Sequence, residues 1–191
     1  MRDDKVLPEW LLVTPEPPAD GRFDPFLARI EHALAGGVAL IQLRSKHASA
    51  ESFDELAGEV LGICRRHGAR LILNGPVETT RIRADGIHLN SERLLRSTRR
   101  ATSGSQWVSA ACHTRAQLRH AQAIGVDFVT LSPVLPTSSH PGAPTLGWRR
   151  FAELVASVQL PVYALGGMTR ADCRLARAFG AQGIAGISAF W

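Results

Sequence analysis

Side chains able to bind an anion recur at one kind of place in this 191-residue chain, just behind or inside short apolar runs. Gln42, Arg44 and Lys46 close the run Ala39-Leu40-Ile41-Gln42-Leu43, and Asn74 follows Leu71-Ile72-Leu73. His88 lies within Gly86-Ile87-His88-Leu89, and His113-Thr114 follow Trp107-Val108-Ser109-Ala110. Ser132, Thr137, Ser139 and His140 come after Phe128-Val129-Thr130-Leu131, Gly166-Gly167 after Val162-Tyr163-Ala164-Leu165, and Ile187-Ser188 end the last run, which starts at Gly183. Cations, hydroxyls, amides and glycines are what phosphate binding asks for: charge, donors, and backbone N–H groups that no side chain shields. The set contains no pair of acids for carboxylate general acid–base work and no His/Cys/Asp/Glu grouping with the spacing of a metal site. Each residue also has a plainer explanation. Arg44 and Lys46 could be a solvated loop pair, His88 and His113 structural histidines, and Gly166-Gly167 a tight turn. Convergence on one face is what would separate a site from a coincidence.

The elements that could supply such a face are legible. With Trp10-Leu11-Leu12-Val13 the chain has eight short runs, mostly without polar alternation and bounded by Gly, Pro or polar residues. That is the signature of strands buried on both faces. Helix-period stripes lie between them, such as Phe53, Leu56, Ala57, Val60 and Leu61, or Phe151, Leu154, Val155 and Val158, and several stretches stop at a glycine such as Gly68, Gly125 or Gly180. The segments after the third and fourth strands are short and polar and give only a weak helical pattern. Strand and helix in alternation give a parallel sheet, and eight strands favour a closed (β/α)₈ TIM barrel over an open doubly wound sheet. Thr14-Pro15-Glu16-Pro17-Pro18, rather than a glycine fingerprint, follows the first strand, which argues against a dinucleotide-binding sheet. A barrel places its chemistry at the C-terminal strand ends, where all these residues stand. Barrels usually take about 250 residues and about 200 at the compact limit, so this one must be stripped down.

Composition narrows the partners. The chain is 45% hydrophobic and 20% charged with a net charge of +5, ordinary for one globular domain. The basic bias is either an Arg-rich solvated surface or an attraction to anions such as phosphorylated small molecules. Scattered basic residues and a single Tyr argue against nucleic acid. Cys64, Cys112 and Cys173 read as reduced thiols, and no apolar run has transmembrane length, so the expectation is a soluble cytoplasmic protein.

In order along the chain, Gln42-Leu43-Arg44 with Lys46, Leu71-Ile72-Leu73-Asn74, Asp85-Gly86-Ile87-His88-Leu89, His113-Thr114, Val126-Asp127-Phe128, Pro133-x-x-Pro136-Thr137, Ala164-x-Gly166-Gly167-Met168 and Gly183–Ser188 make a series. It resembles the thiamine-phosphate synthase and thiazole tautomerase (TenI) superfamily from about Trp10 to Ser188. The synthases join a pyrimidine methyl diphosphate to a thiazole phosphate with Mg²⁺ and release pyrophosphate. The resemblance therefore implies Gln42, Arg44, Lys46 and Asn74 facing the diphosphate, and Thr137, Ser139, Gly166, Gly167, Ile187 and Ser188 facing a phosphate. Arg44, Lys46 and His113 are the catalytic candidates, with His88 as a further binding residue.

The chain departs from the synthases where Gly75 and Arg93 replace the two Mg²⁺-binding aspartates, Ala111 a serine and His140 a lysine. The expectation is therefore no metal or other cofactor, and synthase activity weak or lost. Asn74-Gly75 is closer to the tautomerase branch, but Pro133 stands where that branch has its histidine, leaving His88, His113 or His140 as substitutes. An active protein would thus be a synthase-like transferase or a tautomerase-like isomerase. The alternative is a non-catalytic binding or regulatory domain acting with a Nudix-type hydrolase, because similar domains occur fused behind such hydrolases and Val6–Trp10 resembles their entry.

Residues 1–9 are expected to form an arm and 10–191 the barrel, which would lack the final helix because three residues follow Ser188. The side chains of Leu11, Leu12, Val13, Ile184, Ala185 and Ile187 would then leave an apolar flank. Its cover would be the arm, a second copy in a homodimer, or a partner domain, with Phe190 and Trp191 in the contact.

Overall fold

The computed structural model describes residues 6–102, 105–137 and 141–191. Its eight strands are β1 (Trp10–Val13), β2 (Leu40–Arg44), β3 (Arg70–Asn74), β4 (Gly86–Leu89), β5 (Trp107–Cys112), β6 (Phe128–Leu131), β7 (Val162–Leu165) and β8 (Gly183–Gly186). All neighbours pair in parallel and in sequence order, and β8 returns to β1 with Trp10 beside Ile184 and Leu12 beside Gly186. The result is the closed (β/α)₈ barrel that the apolar runs suggested. No helix is long and apolar enough to cross a membrane among the described residues.

The outer helices are α1 (Asp24–Ala35), α2 (Ala50–Arg66), α3 (Ser91–Arg96), α4 (Arg115–Ala123), α5 (Gly147–Val155) and α6 (Cys173–Ala178). The longest, α2, shows why such segments form. Ser49 caps its start by accepting from the Ser52 N–H at 3.2 Å, and its stripe of Phe53, Leu56, Ala57, Val60, Leu61 and Cys64 is buried against the sheet. It stops as Gly68 takes a φ of +65°, a conformation that side chains resist. No helix follows β3: residues 75–85 carry too few apolar side chains to cover a sheet face. Asp54 of α2 holds this strap in place by accepting from Thr80 Oγ1 and from the Arg81 N–H. After β4 the short α3 does form, capped by Asn90 Oδ1 on the Arg93 N–H at 2.9 Å.

Inside the barrel, alternate residues of each strand stack in layers. The lower layer is apolar, with Leu11, Leu40, Ile72, Trp107, Phe128, Tyr163 and Ala185 in one buried cluster. Trp107 meets Phe128 edge-on at 5.9 Å and Phe128 meets Tyr163 at 5.5 Å. Gly86 makes room for Trp107, since a Cβ there would come within 2.8 Å of the Trp107 Cβ. Toward the C-terminal ends the buried interior turns polar, with Gln42, His88, Ser109 and Thr130. An apolar plug beneath a polar floor fixes the end at which a ligand can enter.

The layering corrects the expected flank. Leu11, Val13, Ala185 and Ile187 belong to the interior cluster, whereas Leu12 and Ile184 join the outer core. Both outer residues are fully buried, because a turn after β8 folds Phe190 and Trp191 across the gap. Phe190 lies 5.8 Å from Trp10 and Trp191 4.9 Å from Phe26 of α1, and the Arg170 guanidinium covers both Trp10 and Phe190. Phe190 and Trp191 thus belong to the contact that covers this surface, as expected, and they cover it from within the chain. At the opposite end of the barrel, Leu7 O accepts from Gln182 Nε2 at 2.8 Å, and Glu9 pairs with Arg177.

Candidate anion-binding site

The C-terminal strand ends open into one cleft of about 1850 Å³. Gln42, Arg44, Lys46, Asn74, His88, His113, Thr137, Gly166, Gly167, Ile187 and Ser188 all line it, so the strand-end residues do converge. Ser139 and His140 lie outside the described residues.

On the β2 side, the connection after β1 organises the cations. Buried Thr14 accepts the Arg44 N–H on its Oγ1 at 3.0 Å. Glu16 Oε1 gathers Ser45 Oγ at 3.2 Å, the Lys46 N–H at 2.7 Å and the His47 N–H at 3.1 Å, while its other oxygen lies 3.7 Å from Arg44 Nη1. One carboxylate thereby shapes the whole β2 turn and presents Arg44 and exposed Lys46 to the cleft. Sequence reading placed no acid at these strand ends and so missed Glu16, whose partners lie about thirty residues further along the chain. Asn74 Nδ2 donates to Gln42 Oε1 at 2.8 Å, which fixes two neighbouring amides across β2 and β3.

The two described candidate histidines differ. His88 Nδ1 sits 2.8 Å from Ser109 Oγ in the closed interior. Burial, with a smaller push from the Arg93 charge, lowers its pKa to about 3, so it stays a neutral hydrogen-bonding group at physiological pH. His113 is exposed at the end of β5, and its Nδ1 lies 2.8 Å from the Ser132 carbonyl oxygen. A carbonyl can only accept, so in the neutral ring Nδ1 carries the proton and Nε2 keeps its lone pair. Of these two, His113 is the one exposed to the cleft. Its backbone N–H is held by Gln117 Oε1 at 2.7 Å. Ser132, one of the strand-end residues read from sequence, orients His113, whereas Ser109, which orients His88, was not singled out.

On the β6–β8 side the donors are backbone. Gly166 and Gly167 have φ values of +100° and +69°. A Cβ on Gly166 would come within 2.9 Å of Pro133, and one on Gly167 within 2.8 Å of the Leu135 Cβ and also onto Pro136 O. Packing of the β6 connection against this turn therefore requires both glycines, in addition to the open approach inferred from sequence. The N–H groups of Gly167 and Ser188 make no backbone hydrogen bond among the described residues, and both residues are exposed. They can receive an anion.

The residues at the positions of the synthases' Mg²⁺ ligands do not fit a cation. A Cβ added to Gly75 would sit 2.5 Å from Phe53 Cε2 and 2.6 Å from its Cζ, and Phe53 is fully buried. The ring of α2 occupies the space that an acidic side chain would use. Arg93 is itself a cation, bound through Nη2 to Glu78 Oε2 at 2.7 Å. No cluster of three or more metal-ligating side chains occurs among the described residues.

A family model described as thiamine monophosphate synthase matches residues 11–190. The chain belongs to that family. It is 40% identical over 182 residues to a Geobacter sulfurreducens protein named "Putative thiamine-phosphate synthase", covering 93% of this chain and 84% of that one. It is also 34% identical over 179 residues to the thiamine-phosphate synthase of Thioalkalivibrio sulfidiphilus, covering 92% and 84%. Among solved structures, the thiamine phosphate pyrophosphorylase of Pyrococcus furiosus superposes with a TM-score of 0.74 at 24% identity, covering 94% of this chain and 85% of that one. That likeness establishes the barrel architecture. Family membership places the chain in thiamine biosynthesis.

Proposed function

We propose that this family member binds a phosphorylated thiazole or thiamine phosphate at the strand C-termini, with Mg²⁺-dependent synthase turnover weak or lost. The observation that carries this reading is Phe53, whose ring fills the space beside Gly75. The phosphate would lie on the Gly167 and Ser188 N–H groups with Thr137 beside it, and Arg44 and Lys46 would draw further negative charge toward the β2 side. Retained activity would use His113 Nε2 as the group that takes or returns a proton. That chemistry is closer to an isomerase than to metal-assisted transfer. The same filled position favours a second reading, a purely binding domain that senses thiamine phosphates for a Nudix-type hydrolase or another partner.

Calorimetric titration with thiazole phosphate, thiamine phosphate and inorganic phosphate tests the shared part of both readings. Binding of at least one, weakened by substitution at Gly167 or Ser188, is expected. No heat from any of the three at millimolar concentration would overturn it. Proton exchange into a bound thiazole, lost in His113→Gln with binding kept, separates the isomerase from the sensor.

A further inference from the structure

The cleft is larger than one phosphorylated heterocycle needs: about 1850 Å³, against the roughly 300–1,000 Å³ of most small-molecule pockets. Its lining runs on from β3 along the strap of residues 75–85 to α3, where Arg93 and Glu78 face each other. Their ion pair is lopsided. The Arg93 side chain is 25% exposed and the Glu78 side chain 65%, so the cation stands inside the wall and the acid at its mouth. Of the five guanidinium N–H donors, one bond through Nη2 is accounted for among the described residues. Arg93 also acts electrostatically on His88 in the cleft floor. An exposed carboxylate on a helix-free strap is a weak and displaceable partner for such a cation.

We propose that Arg93 is an anion-binding group of this cleft and that Glu78 is its internal competitor. A ligand phosphate or carboxylate displaces the Glu78 carboxylate from the guanidinium. The ligand class is a small molecule with two anionic groups, one on the Gly167 and Ser188 N–H groups and the other on Arg93, bound without a metal ion. This rests on the reading of the cleft as a phosphate site and adds the second contact point and its gate. A guanidinium takes two acceptor oxygens of a phosphate or carboxylate side by side, which a single Glu78 bond at the mouth does not match.

Inorganic pyrophosphate, titrated calorimetrically in EDTA, is the probe. Glu78→Gln should tighten binding about two- to fivefold, the strength of an exposed ion pair removed. Arg93→Gln should weaken it about tenfold or more. The opposite signs matter, because a folding defect can weaken binding but does not tighten it. Equal affinities in wild type and both variants, with thiamine phosphate still bound, would overturn the Arg93–Glu78 gate alone. Pyrophosphate binding that appears only on adding Mg²⁺ would also overturn it. Failure of the wild type to bind either pyrophosphate or thiamine phosphate would overturn both the gate and the phosphate-site reading.

Discussion

The two sides of the cleft are built on different principles. On the β6–β8 side the donors are backbone N–H groups, and the glycines presenting them are held by contacts with Pro133, Leu135 and Pro136. On the β2–β4 side everything depends on individual side chains: Glu16 shaping the Arg44 turn, Gln42 holding Asn74, Phe53 filling the space at Gly75, and Arg93 paired with Glu78. A backbone site that packing also requires cannot be lost without damaging the fold. A side-chain site can change with one or two substitutions. Of the departures from the synthase pattern, Gly75 and Arg93 fall on the second side and Ala111 beside it, His140 after β6 lies outside the described residues, and the glycine turn keeps its form.

The contrast is most exposed to Gly167→Val. A β-branched residue at a φ of +69°, with its Cβ driven against Leu135 and Pro136, should cost about 4 kcal/mol of stability and abolish phosphate binding together. Urea unfolding and calorimetry would show both, and loss of binding without loss of stability would break the claim that packing and function share these glycines.

Next in size is the floor beneath both sides. His88 has its pKa lowered to about 3 in the folded chain, against about 6.5 when unfolded. The unfolded chain thus binds more protons between those values. The stabilisation from a neutral His88 is fully present above about pH 6.5 and falls away as the pH drops toward 3. His88→Gln should flatten that part of the stability–pH curve, and an unchanged curve would show that the ring is not protected from protonation.

Smaller again is Gly75→Asp, which forces the Phe53 ring aside and should cost about 1–3 kcal/mol while creating no Mg²⁺-dependent turnover. A metal-stimulated rate in that variant would mean the β3 side is more plastic than its packing implies. Least of all, Ser188→Ala should leave stability unchanged and weaken phosphate binding by about 1 kcal/mol, the worth of one hydroxyl hydrogen bond, readable by calorimetry.

Much of the barrel could be read from sequence because strands covered on both faces are continuous apolar runs. The runs at Trp10–Val13, Gly86–Leu89, Phe128–Leu131 and Val162–Leu165 have the bounds of the strands themselves. The same feature hid strand orientation. With apolar residues facing both ways, nothing in Trp10-Leu11-Leu12-Val13 tells that Leu11 points into the barrel and Leu12 outward. Strand-end polar residues stood out against those runs, and the described ones line the cleft except Thr114, which caps α4 by accepting from the Gln117 N–H. What escaped were contacts between distant segments. Phe53 looked like one member of a helix stripe, and its meeting with Gly75 depends on how α2 lies over β3. Glu16, among prolines, showed its role only once the turn after β2 folded over it.

The central claim is that this member keeps the family's phosphate-binding side and has lost its metal-dependent side. It is tested most directly by the initial rate of thiamine phosphate formation from the pyrimidine diphosphate and thiazole phosphate, in excess Mg²⁺ and again in EDTA. The account predicts a rate that is very low and the same in both. A Mg²⁺-stimulated rate of about 1 per second or more, ordinary for an enzyme, would contradict it.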